Sequence, residues 1–216
     1  MERCYFDWAA TAIPDRNISG SAHPLNSFAN PSSIHKEGKR ARSALEEARS
    51  RCALALGVRP EEIYFTSGGT ESNAIVLFSL LIKSKITLRS FGKTQNNIQA
   101  APDKSAVLLY SAAEHPSIRE NTAVLSQLGI HSAPIGVETD GRISETKLER
   151  ALAKNPNARM AAIMAVNNET GAINDLEALA AVLRKRCDSL LAPVHFHCDA
   201  VQAAGKIPLD FHWLGN

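Results

Sequence analysis

The sequence predicts an α/β fold with a mostly parallel sheet covered by helices on both faces. Three observations carry that expectation. Residues 106–111 (AVLLYS) and 160–166 (MAAIMAV) are apolar along nearly their whole length, which marks strands buried on both faces rather than half-exposed ones. Stretches with apolar residues at three- and four-residue steps alternate with these runs, as they do in βαβ chains. Capping and breaking residues fall between the two kinds of segment: Pro116, Ser144 and Asp175 where helices should begin, Gly57 and Gly129 where they should end.

Taken in order, residues 1–34 form an N-terminal arm, or part of a small domain. Tyr5-Phe6 is expected as a short strand, while Pro14, Gly20, Pro24 and Pro31 forbid a long helix there. Residues 35–216 form a large domain. A helix over 36–56 follows from the stripe Ala41, Leu45, Ala48, Cys52 and Leu56, with Ser32 or Ser33 as its cap and Gly57 as its left-handed stop. Ile63-Tyr64-Phe65 reads as a short strand and Thr66-Ser67-Gly68-Gly69 as a turn. A helix then runs from Glu71 to about Lys83. Residues 84–105 are rich in Ser, Thr, Asn, Gln and Lys without a stripe, and read as a surface excursion. After AVLLYS come a helix from Pro116, a weaker strand over 131–135, a helix opened by Ser144 and the MAAIMAV strand. A helix capped by Asp175 and a last strand over 194–198 complete the pattern.

Composition narrows the function. The 216 residues suffice for a large core without disulfide staples, and 24 Lys+Arg against 22 Asp+Glu leave a net charge of +2. With only 6% aromatics, that balance argues against a nucleic-acid or membrane surface. The longest apolar stretch, residues 74–82, falls far short of the ~20 residues a bilayer requires. The start, Met1-Glu2-Arg3-Cys4, has no secretory apolar core. Cys4, Cys52, Cys187 and Cys198 share no paired spacing, so a reduced, cytoplasmic setting is expected.

In open α/β sheets ligands bind beyond the carboxyl ends of the strands. Four segments sit there. Ser67-Gly68-Gly69-Thr70 could bring glycine backbone, the first N–H groups of a helix and a hydroxyl to an anion, or be simply a tight turn before a capped helix. His115 could stack on a ring or move a proton, or serve only at a helix start. Asn167-Asn168 could orient a polar ligand or fill a turn. Asp199, ending an apolar strand, calls for a cation or donors, such as a protonated ring nitrogen, with Gln202 three residues on. His195, His197 and Asp199 alternate onto one strand face, which raises a metal site. No further Cys or His falls at ligand spacing, so no metal is expected.

The ordered set resembles the N-terminal portion of the NifS-like cysteine desulfurases, class V pyridoxal-phosphate enzymes of fold-type I. It runs through Tyr5-Phe6-Asp7-Trp8-Ala9-Ala10-Thr11, Asn30-Pro31-Ser32-Ser33-Ile34-His35 and Phe65-Thr66-Ser67-Gly68-Gly69-Thr70-Glu71-Ser72-Asn73. It continues through Glu114-His115, Val166-Asn167-Asn168-Glu169-Thr170-Gly171 and His197-Cys198-Asp199-Ala200-Val201-Gln202. The resemblance implies that residues 35–216 are part of a pyridoxal-phosphate-binding large domain. Gly69 and Thr70 would hold the phosphate. His115 would stack on the ring and act as acid–base, with Val201 on the opposite face. Asp199 would pair with the ring nitrogen, and Asn168 and Gln202 would contact the ring's phenolic oxygen. It further implies conversion of L-cysteine to L-alanine, with sulfur passed to an enzyme cysteine persulfide for iron–sulfur cluster or thio-cofactor synthesis. The enzyme would be a homodimer that hands sulfur to an acceptor protein.

The same resemblance sets limits. The family's cofactor-binding lysine lies on a loop after the next strand, and here only Lys206, in a connecting segment, follows Asp199. The substrate-carboxylate arginine and persulfide cysteine belong to a C-terminal domain with no counterpart among these residues. The chain alone is therefore expected to be inactive. Ala74 stands where the family usually has a second Asn. Another class V lyase or aminotransferase, or a non-catalytic fragment with a binding or scaffold role, are the competing readings.

Overall fold

The computed structural model describes residues 4–13, 28–90, 106–187 and 193–209. By internal contacts the chain divides into two units, Met1–Tyr64 and Phe65–Asn216, whereas the sequence placed its boundary after residue 34.

In the first unit, helix α1 (Lys36–Leu56) matches the predicted span, and Gly57 closes it with φ of 67° while its N–H and that of Val58 bond back into the last turn. The predicted cap is corrected. His35 caps the helix, its Nδ1 accepting from Gly38 N at 3.2 Å. Ser33 is otherwise engaged: its hydroxyl donates to Asp7 Oδ2 at 2.6 Å, beside the His35 Nε2 bond to the same oxygen at 2.9 Å. Tyr5-Phe6 is not a strand. The backbone turns instead, with Ala10 N and Thr11 N both donating to Asp7 O and the Tyr5 hydroxyl donating to the Asp7 and Thr11 carbonyls. Pro14, Gly20 and Pro24 lie outside the described residues. Ile63-Tyr64-Phe65 is not a strand of the sheet; Ile63 is extended, directly after a 3₁₀ turn (Pro60–Glu62).

In the second unit, α2 (Gly69–Ser90) starts two residues earlier and ends seven later than predicted. The first part of the expected surface excursion is therefore helical, and residues 91–105 lie outside the described residues. Then follow β1 (Val107–Ser111), α3 (Pro116–Gln127), β2 (His131–Ile135), α4 (Glu145–Lys154), β3 (Ala158–Ala162), α5 (Leu176–Cys187) and β4 (His195–His197). Ser144 and Asp175 cap α4 and α5 as expected, accepting from Lys147 N and Ala178 N.

All strand pairs are parallel, in the order β2-β1-β3-β4. From β1 the chain steps outward to β2, then crosses back over β1 to β3 and on to β4. Parallel crossovers are right-handed, so a reversal of direction moves the connecting helices to the opposite face. The core obeys this. Leu108, Met160 and Ala162 pack with Leu77 and Leu80 of α2 and Ile118 and Leu125 of α3. Leu109 and Ala161, their neighbours along the strands, pack with Leu148 and Leu152 of α4 and Leu179 and Leu183 of α5. The predicted parallel sheet with two covered faces is what forms. The reversal also leaves a crevice beyond the carboxyl ends of β1 and β3, where such sheets take ligands.

Candidate functional site

A cavity of about 200 Å³ lies in that crevice. Gly69, Thr70 and Asn73 of α2 line it, as do His115 and Ser117 at the start of α3. Met164, Val166 and Asn168 beyond β3 and Asp199, Val201 and Gln202 beyond β4 complete the wall. All seven predicted site residues thus face one space. A wider depression of about 670 Å³ over Lys36, Lys39, Arg40 and Glu47 offers only exposed side chains of one helix, with no converging buried group.

The turn before α2 is tied by its own side chains. Glu71 accepts from Ser67 N and Ser67 Oγ at 2.6 and 2.7 Å, which holds its carboxyl below the usual range, and Thr66 Oγ1 meets Ser72 Oγ at 2.8 Å. Thr70 takes no part in these bonds and points its turn of the helix to the cavity, where first-turn N–H groups lack intrahelical acceptors. At Gly69 the space is close. A Cβ there would lie 2.6 Å from Val201 Cγ2.

His115 caps α3, its Nδ1 accepting from Ser117 N at 3.1 Å and lying 2.9 Å from Ser117 Oγ. Its neighbour Glu114 is only 3% exposed. Oε1 accepts from Met164 N at 2.6 Å and joins the ends of β1 and β3, while Oε2 is buried with no partner. Burial, reinforced by the Asp199 charge, pushes this carboxyl up to about 8.

The two asparagines divide their work. Asn167 is buried and organises the turn to Gly171: its Oδ1 accepts from Glu169 N, Thr170 N and Thr170 Oγ1, and its Nδ2 donates to Ala113 O. Asn168 is exposed and faces the cavity. Asp199 Oδ1 accepts from Val201 N at 3.0 Å and Oδ2 from Asn73 Nδ2 at 2.8 Å. Gln202 Oε1 accepts from Lys206 Nζ.

Asn73, Ser117, Met164 and Val166 line the site without having been predicted. Asn73 had a signal, since it falls one helical turn after Gly69 and Thr70 on the same face. Of the strand-face trio weighed for a metal, His197 Nε2 bonds Asn73 Oδ1 at 2.9 Å and burial lowers its pKa, whereas His195 is exposed. Among the described residues no three His, Cys, Asp or Glu side chains gather as a metal site, and no helix is long and apolar enough to cross a membrane. Cys4, Cys52 and Cys198 are free thiols.

Known proteins resemble this chain in sequence and fold. The chain is 32% identical over 213 residues to the cysteine desulfurase IscS of Dictyoglomus turgidum, covering 98% of this chain and 48% of that protein. It is 36% identical to the NifS/IcsS protein homolog of Lactobacillus delbrueckii (94% and 47%), and 34% identical to the selenocysteine lyase of Xenopus laevis (99% and 50%). Among solved structures, a NifS-like protein superposes with a TM-score of 0.73 at 28% identity, over 88% of this chain and 46% of that one. SspA in complex with cysteine gives 0.68 at 30%, over 87% and 47%. The chain spans about half the length of the curated relatives it matches. The aminotransferase class-V model matches residues 4–216, and the chain belongs to that family.

Proposed function

We propose that this chain forms the pyridoxal 5'-phosphate-holding part of a cysteine desulfurase. The observation that supports the reading most strongly is the convergence of Thr70, His115, Asn168 and Asp199 on one cavity. The residues present fit the cofactor. A helix start with the free Thr70 hydroxyl suits a phosphate. The bare Gly69 lets Val201 close against that helix. Asp199, already accepting one bond at each oxygen, keeps lone pairs for a protonated ring nitrogen. Gly69 and Thr70 would hold the phosphate, His115 and Val201 the two ring faces, Asp199 the ring nitrogen, and Asn168 and Gln202 the phenolic oxygen. When bound, the cofactor supplies an electron sink that labilises bonds at a substrate's α-carbon. The chain's part is to orient the ring, to keep its nitrogen protonated through Asp199 and to offer His115 as acid–base. L-cysteine as substrate, L-alanine and an enzyme persulfide as products, a homodimer, a sulfur-acceptor protein and a cytoplasmic location extend the same reading by family resemblance.

Titrating the 216-residue chain with pyridoxal 5'-phosphate, followed by the cofactor's absorbance, tests the binding. Asp199→Asn and Thr70→Ala should each weaken it about tenfold or more, equivalent to ~1.4 kcal/mol. Binding unchanged in both variants would refute the assignment. For the activity, the chain is joined to the C-terminal half of the Dictyoglomus relative and assayed for alanine from L-cysteine and, because one relative is a selenocysteine lyase, from L-selenocysteine.

A further inference from the structure

Asn73 lies one turn into α2 and is 3% exposed, so each of its polar atoms needs a partner. Its Oδ1 meets His197 Nε2, and its two N–H groups go to Asp199 Oδ2 at 2.8 Å and Ser117 Oγ at 2.9 Å. A carboxylate only accepts, so the amide cannot be flipped: nitrogen faces Asp199 and oxygen faces His197.

We propose that Asn73 is a positioning residue that, acting through Ser117 Oγ beside the Ser117 N–H, holds His115 as its Nε2–H tautomer. The serine hydroxyl has a single hydrogen. Because Asn73 donates into Ser117 Oγ, that hydrogen is directed to the other neighbour in reach, His115 Nδ1 at 2.9 Å. The same ring nitrogen accepts from Ser117 N at 3.1 Å. In neutral imidazole an accepting Nδ1 leaves the proton on Nε2, so the nitrogen left over for the cavity is a donor. Without Asn73 the hydroxyl is free to turn away, the 3.1 Å bond from Ser117 N–H alone holds Nδ1 as an acceptor, and the second tautomer becomes easier to reach. One amide thereby orders the site's histidine while gripping its aspartate. The consequence for catalysis rests on the function proposed above, but the tautomer does not, because it is set by this chain's own groups.

The test uses the 216-residue chain with no cofactor, labelled with ¹⁵N-histidine and held at about pH 8, where an ordinary imidazole is neutral. Two-bond ¹H–¹⁵N spectra report which ring nitrogen carries the proton, and His115 is assigned by the signals lost in His115→Gln. The expected result is a single Nε2–H pattern for His115 in the unaltered chain. In Asn73→Ala, and in Ser117→Ala, the His115 ring nitrogens should move toward an averaged, two-tautomer pattern while far-ultraviolet circular dichroism stays the same. An Nδ1–H pattern in the unaltered chain overturns the proposal whatever the variants do. So does an Asn73→Ala spectrum identical to the parent's, or, should that variant fail to fold, an unshifted Ser117→Ala spectrum. A chain that gives the expected tautomers yet binds no pyridoxal 5'-phosphate would sink the functional reading and leave this one standing.

Discussion

Glu114 makes stability fall as pH rises, and Glu114→Gln should abolish that fall. In the folded chain this carboxyl titrates near 8 because it is buried, where the ordinary value is 4.5. Between those values the folded state holds a proton that the unfolded state has released. The folded state binds more protons there, so unfolding free energy drops with rising pH by about 1.4 kcal/mol per pH unit. The contribution is intact below 4.5 and gone once the folded group ionises above about 8, a total of roughly 5 kcal/mol. Glutamine keeps the oxygen that accepts from Met164 N and places an uncharged amide where Oε2 stands without a partner. It therefore copies the protonated form and cannot ionise. Urea unfolding of both proteins from about pH 5 to about pH 8 is the assay, and the gap should open in favour of Glu114→Gln by about 1.4 kcal/mol per unit. Parallel stability curves would mean that Glu114 ionises normally in the fold, and the desolvation reasoning would be wrong.

Gly69→Ala sets a methyl 2.6 Å from Val201 Cγ2, and because Val201 sits on an exposed loop the side chain can yield. Stability should change by less than about 1 kcal/mol, while pyridoxal 5'-phosphate affinity drops about tenfold as Val201 is displaced; titration and urea unfolding of the same samples separate the two. Burial pushes the Cys198 thiol up to about 12, so it stays protonated at neutral pH. Peptide mass spectrometry after iodoacetamide should find it labelled about a hundredfold more slowly than the exposed Cys4, and equal rates would contradict its burial. Asn167→Ala should cost about 2–4 kcal/mol through its lost turn and Ala113 bonds, whereas Asn168→Ala should stay within about 0.5 kcal/mol.

The sheet was legible in the sequence because its strands are buried on both faces and its helices carry their own punctuation. Pro116, Ser144 and Asp175 act within a turn of where they stand, so local chemistry sufficed. Tyr5-Phe6 and Ile63-Tyr64-Phe65 misled because a short apolar run is compatible with a strand but does not supply one. The Tyr5 hydroxyl is instead spent on local carbonyls, and Tyr64 is 82% exposed. Ser33 failed as a cap because Asp7, 26 residues away, holds its hydroxyl. The overrun of α2 through Ser90 was hidden by a polar composition without a stripe, which reads as loop even where the backbone stays helical. At the site, the seven predicted residues were found because motif order marks them, whereas Asn73, Ser117, Met164 and Val166, which line the same cavity, were not. The long-range bonds were not legible: Asn73 shares a helix face with Gly69 and Thr70, but it reaches Asp199 across 126 positions, and nothing local signals such a bond.

These long-range bonds follow from how buried polar groups must be satisfied. The loops beyond β1, β3 and β4 leave the sheet's hydrogen-bond ladder within a few residues, and their backbone groups need new partners. Four buried side chains supply them or lock the groups that do. Asn174 accepts from Ile143 N and donates to Met164 O, Glu114 accepts from Met164 N, Asn167 closes the turn to Gly171, and Asn73 joins α2 to α3 and β4. With those groups committed inward, Thr70, His115, Asn168 and Asp199 still present polar groups to one cavity. A site assembled this way is ordered before any ligand arrives, so binding need not spend energy on arranging the loops. It also explains why one buried amide in the cavity wall acts on two site groups: moving Asn73 disturbs the partner of Asp199 and the partner of His115 in the same stroke.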